Sequence, residues 1–405
     1  MPSCEFPWPA TVPAPRRVRR WLVTRLSVIT AACSIATALV PGLHAQAPPP
    51  VVDVGLGRGV TIRSIDDSAS LNIRARIQTR ATVVDNPRDT VPDTSEALIR
   101  RARLVFQGNA LGPAFTYYVQ LSFANLDNEA DLRLPLRDAY VTWTGRSGLN
   151  LRVGQMKVPF SRQRVVSSSA LQMVDRSIVV SELNLDRDVG VQLFARQFLG
   201  TDRLGYAVGV FGGEGRNRLG RRAGLLYTAR LEAWPLGAFD DLVEGDLKRD
   251  RRLRAALGAS AGFNQNTNRP RSTIGAPSPA GDVDYTHAGV DVHLKWRGAS
   301  IMAEYMYRGA RQAVDAAVPR PGWGAFVQGG YVMAARTELT GRYSHLAPSG
   351  AAPDPTIRVG NEVGGGVGYY VHGHDLKVQG DYFRVTDPVL DRPVRQIRVQ
   401  MQLFF

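Results

Sequence analysis

Arginine recurs at alternate positions along several stretches of the chain. Arg74, Arg76 and Arg80 share one stretch, and Arg101 and Arg103 the next. Arg152, Arg230, Arg254, Lys295 with Arg297, Arg308, Arg336, Arg342, Lys377 and Arg398 follow in the same pattern. On the same face stand Asp138, Glu232, Asp291, Glu304, Glu338, Glu362 and Asp381, so fifteen cations meet seven carboxylates. Such a face recognises anions rather than making bonds. A guanidinium donates in pairs from a planar fork, which matches neighbouring oxygens of an oxyanion. Arg or Lys rings in a pore select anions or phosphate, and several moderate sites in series let a solute leave again. Cross-strand pairing with the carboxylates would brace many of these arginines, and only the excess is left for a solute. A second concentration lies between Pro159 and Asp188, about thirty residues without strand period. It carries Arg162, Arg164, Arg176 and Arg187 against Asp175, Glu182, Asp186 and Asp188. A structureless stretch of that length is uncommon in a compact domain and is usually functional.

Bond-making chemistry has less support. Beyond residue 45 there are five histidines, His287, His293, His345, His372 and His374. His287, Asp291 and His293 share a face, and His372 and His374 flank a glycine. Neither group has a nearby serine or a strong metal-ligand spacing. No enzyme, metal site or cofactor is expected, and no Rossmann or P-loop glycine pattern occurs. Both cysteines, Cys4 and Cys33, precede residue 45, so the remainder is neither a disulfide scaffold nor a thiol enzyme.

The elements that must carry the arginines are strands. Leu71, Ile73, Ala75 and Ile77 oppose Asn72, Arg74, Arg76, Gln78 and Arg80; Ile397, Val399, Met401, Leu403 and Phe405 oppose Arg398, Gln400 and Gln402. Sixteen such period-two segments of about ten residues run from Leu71 to Phe405. The connections alternate between long polar stretches and short turns. Pro235–Asp250 is the exception, long where a short turn is due. Long loops at one rim, tight turns at the other and an even strand number predict an all-β fold: a transmembrane antiparallel β-barrel of about 16 strands. A soluble sandwich also alternates, but its dry core could not hold so many arginines. Tyr117, Trp143, Trp234, Trp296, Trp323 and Phe404 near strand ends suit interfacial girdles. No apolar run is long enough for a transmembrane helix.

Residues 1–45 read as a secretory signal peptide: Arg16, Arg17, Arg19, Arg20 and Arg25, then an apolar core to Val40, then small residues with cleavage after Ala45 or Ala47. Residues 46–70 form an N-terminal lead-in and 71–405 the barrel. The whole chain carries a net charge of +14. That could suit nucleic acid, but export argues against it and leaves anionic lipid or an anionic solute.

The stretches GQMKVPFSRQ, SSSALQMVDRS and DRDVGVQL, with LIRRARLVFQG, LRDAYVTW and GYAVGVFGGEG, resemble the phosphate-selective porin O and P family of outer-membrane channels. The resemblance is strong from Thr61 to Gly215 and architectural beyond. It implies a bacterial outer-membrane location, a homotrimer, and a third long loop folded inward to narrow the channel. Arg162, Arg164 and Arg176 are thereby candidates for the constriction. Arg74, Arg76, Arg101, Arg103, Arg152, Arg230, Arg254, Lys295, Arg297, Arg342 and Lys377 are candidates for the anion-binding wall. The terminal Phe405 resembles the signal read by the outer-membrane assembly machinery. The expected function is a water-filled, anion-preferring channel for passive uptake of phosphate or similar small anions. The alternatives are a general small-solute porin without phosphate specificity and a structural or adhesive barrel.

Overall fold

The computed structural model describes residues 51–87, 92–128, 134–145, 148–218, 224–277, 282–312, 320–333, 336–349, 360–386 and 392–405. The expected signal segment lies outside these residues. A short hairpin comes first, β1 (Val51–Gly55) and β2 (Gly59–Arg63). Then come β3 (Ser70–Asp85), β4 (Thr94–Asn109), β5 (Phe115–Ser122), β6 (Leu136–Thr144), β7 (Asn150–Lys157) and β8 (Arg187–Ala195). The next five are β9 (Leu204–Phe211), β10 (Leu226–Ala233), β11 (Arg254–Thr267), β12 (Val283–Trp296) and β13 (Ala299–Gln312). The last five are β14 (Gly322–Val332), β15 (Thr337–Pro348), β16 (Gly360–His372), β17 (Leu376–Thr386) and β18 (Val394–Phe404). Strands β3 to β18 pair antiparallel with their neighbours, and β18 returns to β3 with Gln402 opposite Gln78. This is the closed sixteen-stranded barrel that the alternation predicts, and closure pairs each of these sixteen strands on both sides.

Alternation sets which face each residue takes. Val141, Val153, Val191, Ile397 and Val399 are about half exposed on the outer face. Gln78, Ser122, Gln400 and Gln402 are fully enclosed on the inner one. An apolar exterior around a polar interior suits lipid outside. Tight turns close one rim. Arg297 and Gly298 both take positive φ, 51° and 94°, in a two-residue turn between β12 and β13, the geometry whose twist matches that of the flanking strands.

The interior is not uniformly wet. The third long connection, 158–186, folds inside the barrel. Its Val158, Phe160, Val166, Leu171, Val179, Val180 and Leu183 form one apolar cluster with Met302, Met306, Phe326 and Leu346 of β13–β15. Ser161 caps a single helical turn, Arg162–Val165, and Ser177 caps Ile178–Leu183, each accepting from the backbone N–H three residues on. Burial of this apolar underside fixes the loop to one wall of the barrel.

Several residues differ from expectation. Residues 51–63 are paired, and β2 extends the sheet beside β3. Trp234 is fully buried and Phe404 lies under Arg74 and Arg76, so neither joins an outer aromatic girdle. Arg297 is corrected as a wall residue: it sits in the turn and its guanidinium lies over the Trp296 ring. Arg336 likewise occupies the turn before β15, at φ 64°. The long connection after β11 begins inside the barrel, where Arg269, Ser272 and Thr273 are enclosed.

A candidate anion-permeation site

The loop occupies one side of the lumen and leaves space on the other. A cavity of about 460 Å³ lies between it and the wall of β4 to β8. Ten cations line this cavity: Arg100, Arg101, Arg103, Arg137, Arg152, Lys157, Arg164, Arg176, Arg187 and Arg216. Three carboxylates oppose them, Asp127, Asp138 and Asp186. Each acid is engaged by arginine, and two of the three are shared. Asp127 takes a bidentate bond from Arg103, at 2.5 and 2.7 Å, with Arg101 at 3.7 Å and Arg137 at 3.6 Å. Asp138 takes Arg187 in the same way at 2.9 and 3.0 Å. Asp186 pairs with both Arg164 and Arg187. Cations thus outnumber carboxylates in the lining, and Asp175, just outside it, takes Arg101 at 3.4 Å.

A second cavity, about 730 Å³, is lined by residues near the long-loop rim, including Asn86, Glu182, Arg271, Arg320, Glu362 and Arg398. The two cavities share Arg100, Arg101, Arg164 and Arg176. These four arginines mark the junction. Arg176 donates to the carbonyl oxygens of Gln163 at 2.8 Å and Val166 at 2.7 Å. Burial, and then the neighbouring Arg164, push its pKa down to about 9. Its charge is therefore held at a cost that an arriving anion would relieve. Burial works against the Asp175 carboxylate beside it, yet Arg80, Arg101, Arg100 and Arg398 hold that group well below the usual range.

Two β-bulges build the lining of the first cavity. Along β3 and β4, Gln78 faces Arg101 while Thr79 faces Ile99, so Arg100 is an extra residue. Along β5 and β6, Gln120 faces Asp138 while Leu121 faces Leu136, which makes Arg137 extra. Each bulge turns two adjacent charged side chains into the lumen where plain alternation would send one to lipid. Strict alternation therefore misses Arg100 and Arg137. The signal was present as neighbouring charges, Arg100-Arg101 and Arg137-Asp138, since an arginine on the lipid face is costly. Lys157, Arg187 and Arg216, at the loop's base or in the next long connection, were also not among the expected lining residues.

The other expected site residues separate into groups. Arg101, Arg103, Arg152, Arg164 and Arg176 line the first cavity. Arg152 is held between the Tyr140 and Phe194 rings, 4.4 and 4.7 Å from their centres. Arg254 and Lys295 line a third space, about 690 Å³, by the connection between β10 and β11. Arg74 reaches Gln107 at 3.0 Å and Arg76 reaches Ser168 at 3.0 Å. Arg230, Arg342 and Lys377 are enclosed: Arg230 meets Asp291 at 2.7 Å, Arg342 meets Glu362 at 2.8 Å, and Lys377 donates to the Leu171 carbonyl at 2.8 Å. Arg162 is a correction of place. Its side chain is fully enclosed and ion-paired to Asp241, Asp291 and Glu232, so it fastens the loop to the wall and lines neither cavity. His287 packs edge-on against Phe160, and both ring nitrogens of His293 face backbone carbonyls.

Comparison with known proteins follows the same lines. The family model for phosphate-selective porin O and P matches residues 71–405. No curated protein matches the chain. Among solved structures, a loop-deletion mutant of the outer-membrane protein OmpT from Vibrio cholerae aligns with a TM-score of 0.58 at 13% identity, covering 84% of this chain and 100% of that one. An anion-selective porin from Comamonas acidovorans aligns at 0.55 and 13%, covering 83% and 100%. The outer-membrane channel DcaP of Acinetobacter baumannii aligns at 0.54 and 14%, covering 85% and 99%. At such identities the likeness is one of fold.

Proposed function

The chain belongs to the phosphate-selective porin O and P family and is a bacterial outer-membrane porin, and from that premise we propose that it passes small oxyanions of the phosphate class through the cavity beside β4 to β8. One observation carries this reading: ten cations against three carboxylates, meeting the outer cavity at Arg100, Arg101, Arg164 and Arg176. An anion entering from outside meets Arg271 and Arg320 first, where Glu182 already pairs with both at 3.7 and 3.1 Å. It then reaches the junction, where guanidinium groups replace part of its hydration shell with paired N–H donors. Arg103, Arg137, Arg187 and Arg152 offer successive positions below, which lets it move on rather than stay bound.

Phosphate is favoured over chloride by fork geometry, because a tetrahedral oxyanion can accept from two donors of one guanidinium and chloride cannot match both as well. Planar-bilayer recording tests this. Reversal potential under a salt gradient should show anion preference, and added phosphate should reduce the chloride current. Anion preference without phosphate block would leave a general anion porin. A reversal potential of zero would reject both readings.

A further inference from the structure

The connection between β10 and β11 is long at the rim of tight turns, which is the periplasmic rim in barrels of this kind. It does not hang outside. Asp241, Glu244 and Asp246 are each at most 3% exposed. Asp241 takes an ion pair from Arg162 of the constriction loop and another from Arg196 at 2.6 Å. Glu244 accepts from the Gln172 backbone at 2.7 Å and from the Gln163 and Gln328 side chains at 3.1 and 2.9 Å. Its own N–H reaches the Ala170 carbonyl at 3.1 Å. The base of the segment is pinned as well, since Asp246 accepts from the Gly298 N–H of the neighbouring turn at 2.7 Å. Two loops that enter from opposite rims thus meet inside the barrel through buried charge-assisted bonds.

We propose that this periplasmic segment is a plug that seals the lumen on the β10–β17 side and confines all flux to the cationic side. Three features support it. The constriction loop already packs an apolar underside on β13–β15, which closes that side from above. The periplasmic segment meets the same loop from below. Its Asp241, with Asp291 and Glu232 of the wall, neutralises Arg162, so this loop arginine adds no free charge on the sealed side. The segment is then a specificity element. Without it, a solute could pass beneath the loop along a wall where arginines are already ion-paired, and selectivity would be lost. This inference rests on the permeation reading above.

The experiment is single-channel recording on full-length protein in which Phe239–Asp246 is replaced by Gly-Ser-Gly. Conductance should rise by at least about twofold, because a second route opens beside the first, and reversal potential should move toward zero. The added current should resist both phosphate and the Arg100→Gln/Arg176→Gln change. Wild-type conductance from a folded, heat-modifiable variant would overturn the plug. If that variant does not fold, Asp241→Asn with Glu244→Gln keeps the chain length and cuts only the latch. It should flicker between the wild-type level and a larger one, and a steady wild-type level would overturn the plug. The two readings separate cleanly. If the junction variant leaves selectivity intact while the shortened loop still raises conductance, the cationic route is wrong and only the sealing of the lumen by this segment stands. If the junction variant alone has an effect, the reverse holds.

Discussion

Replacing Arg100 and Arg176 by Gln tests the junction most sharply. These two carry the least compensation of the four shared arginines. Arg176 donates to two backbone carbonyls, and Arg100 donates to the Leu126 carbonyl at 2.9 Å with Asp127 4.0 Å away. Arg101 and Arg164, by contrast, have carboxylates close by. A unit charge 4 Å from an anion contributes about 1 kcal/mol in bulk water and about 4 kcal/mol at an effective dielectric constant near 20. A narrow, partly wet passage lies between those limits. Taking the lower figure, each lost charge reduces anion occupancy of the junction about fivefold, since about 1.4 kcal/mol is tenfold. The double variant should then fall about 25-fold, provided the two sites add. The assay is reversal potential in a planar bilayer at about 0.1 M salt, where screening reaches only about 10 Å. At about 1 M the difference should shrink as the screening length falls to about 3 Å. Arg297→Gln, at an exposed turn, is the control and should leave reversal potential unchanged. A folded double variant with wild-type reversal potential would refute the argument, and selectivity would have to arise elsewhere on the wall.

Other outcomes follow from the same contacts. Arg162→Ala should destabilise the barrel by about 3–5 kcal/mol, since it strips a partner from enclosed acids; the thermal midpoint of heat-modifiable mobility reads this directly. Deleting Met401–Phe405 removes β18 residues that pair with β3, and the protein should fail to reach the outer membrane; normal membrane-inserted, heat-modifiable product would contradict the closing pairing. An epitope at Gly373, in the turn after β16, should be silent on intact cells and appear on permeabilisation, whereas one at Ala276, past the enclosed start of its loop, should be labelled from outside. Arg269→Gln should lower stability rather than alter low-salt capture, because Arg269 is enclosed and donates to the Thr273 carbonyl at 2.8 Å.

The strands were legible because lipid outside and water inside force a strict period of two, and each of the sixteen segments obeys it closely enough to be located. The site was less legible for physical reasons. A bulge breaks the period locally, so Arg100 and Arg137 fall on the wrong face under simple alternation. Loop packing was hidden too. Met302, Met306, Phe326 and Leu346 occupy the nominally polar face, and in hindsight four apolar side chains facing a lumen announce something apolar inside it. Arg162 and Arg176 look alike in sequence. Only the folded loop shows that one is surrounded by acids and the other by carbonyls. The overlong periplasmic connection was visible as an irregularity of length, but nothing in its composition revealed that it turns inward.

The two bulges also bear on how such a channel can change over generations. An ordinary substitution on the inner wall exchanges one lining group for another, because every lumen position on a regular strand is already occupied. A single inserted codon that forms a bulge adds a lining group and displaces none. Removing Arg100 from β4 would restore plain alternation, with Ile99 still toward lipid and Arg101 still toward the lumen. Insertion and deletion, normally ruinous within a strand, become a graded means of adjusting pore charge here. The barrel can therefore drift between selectivities one residue at a time, with strand number and closure untouched.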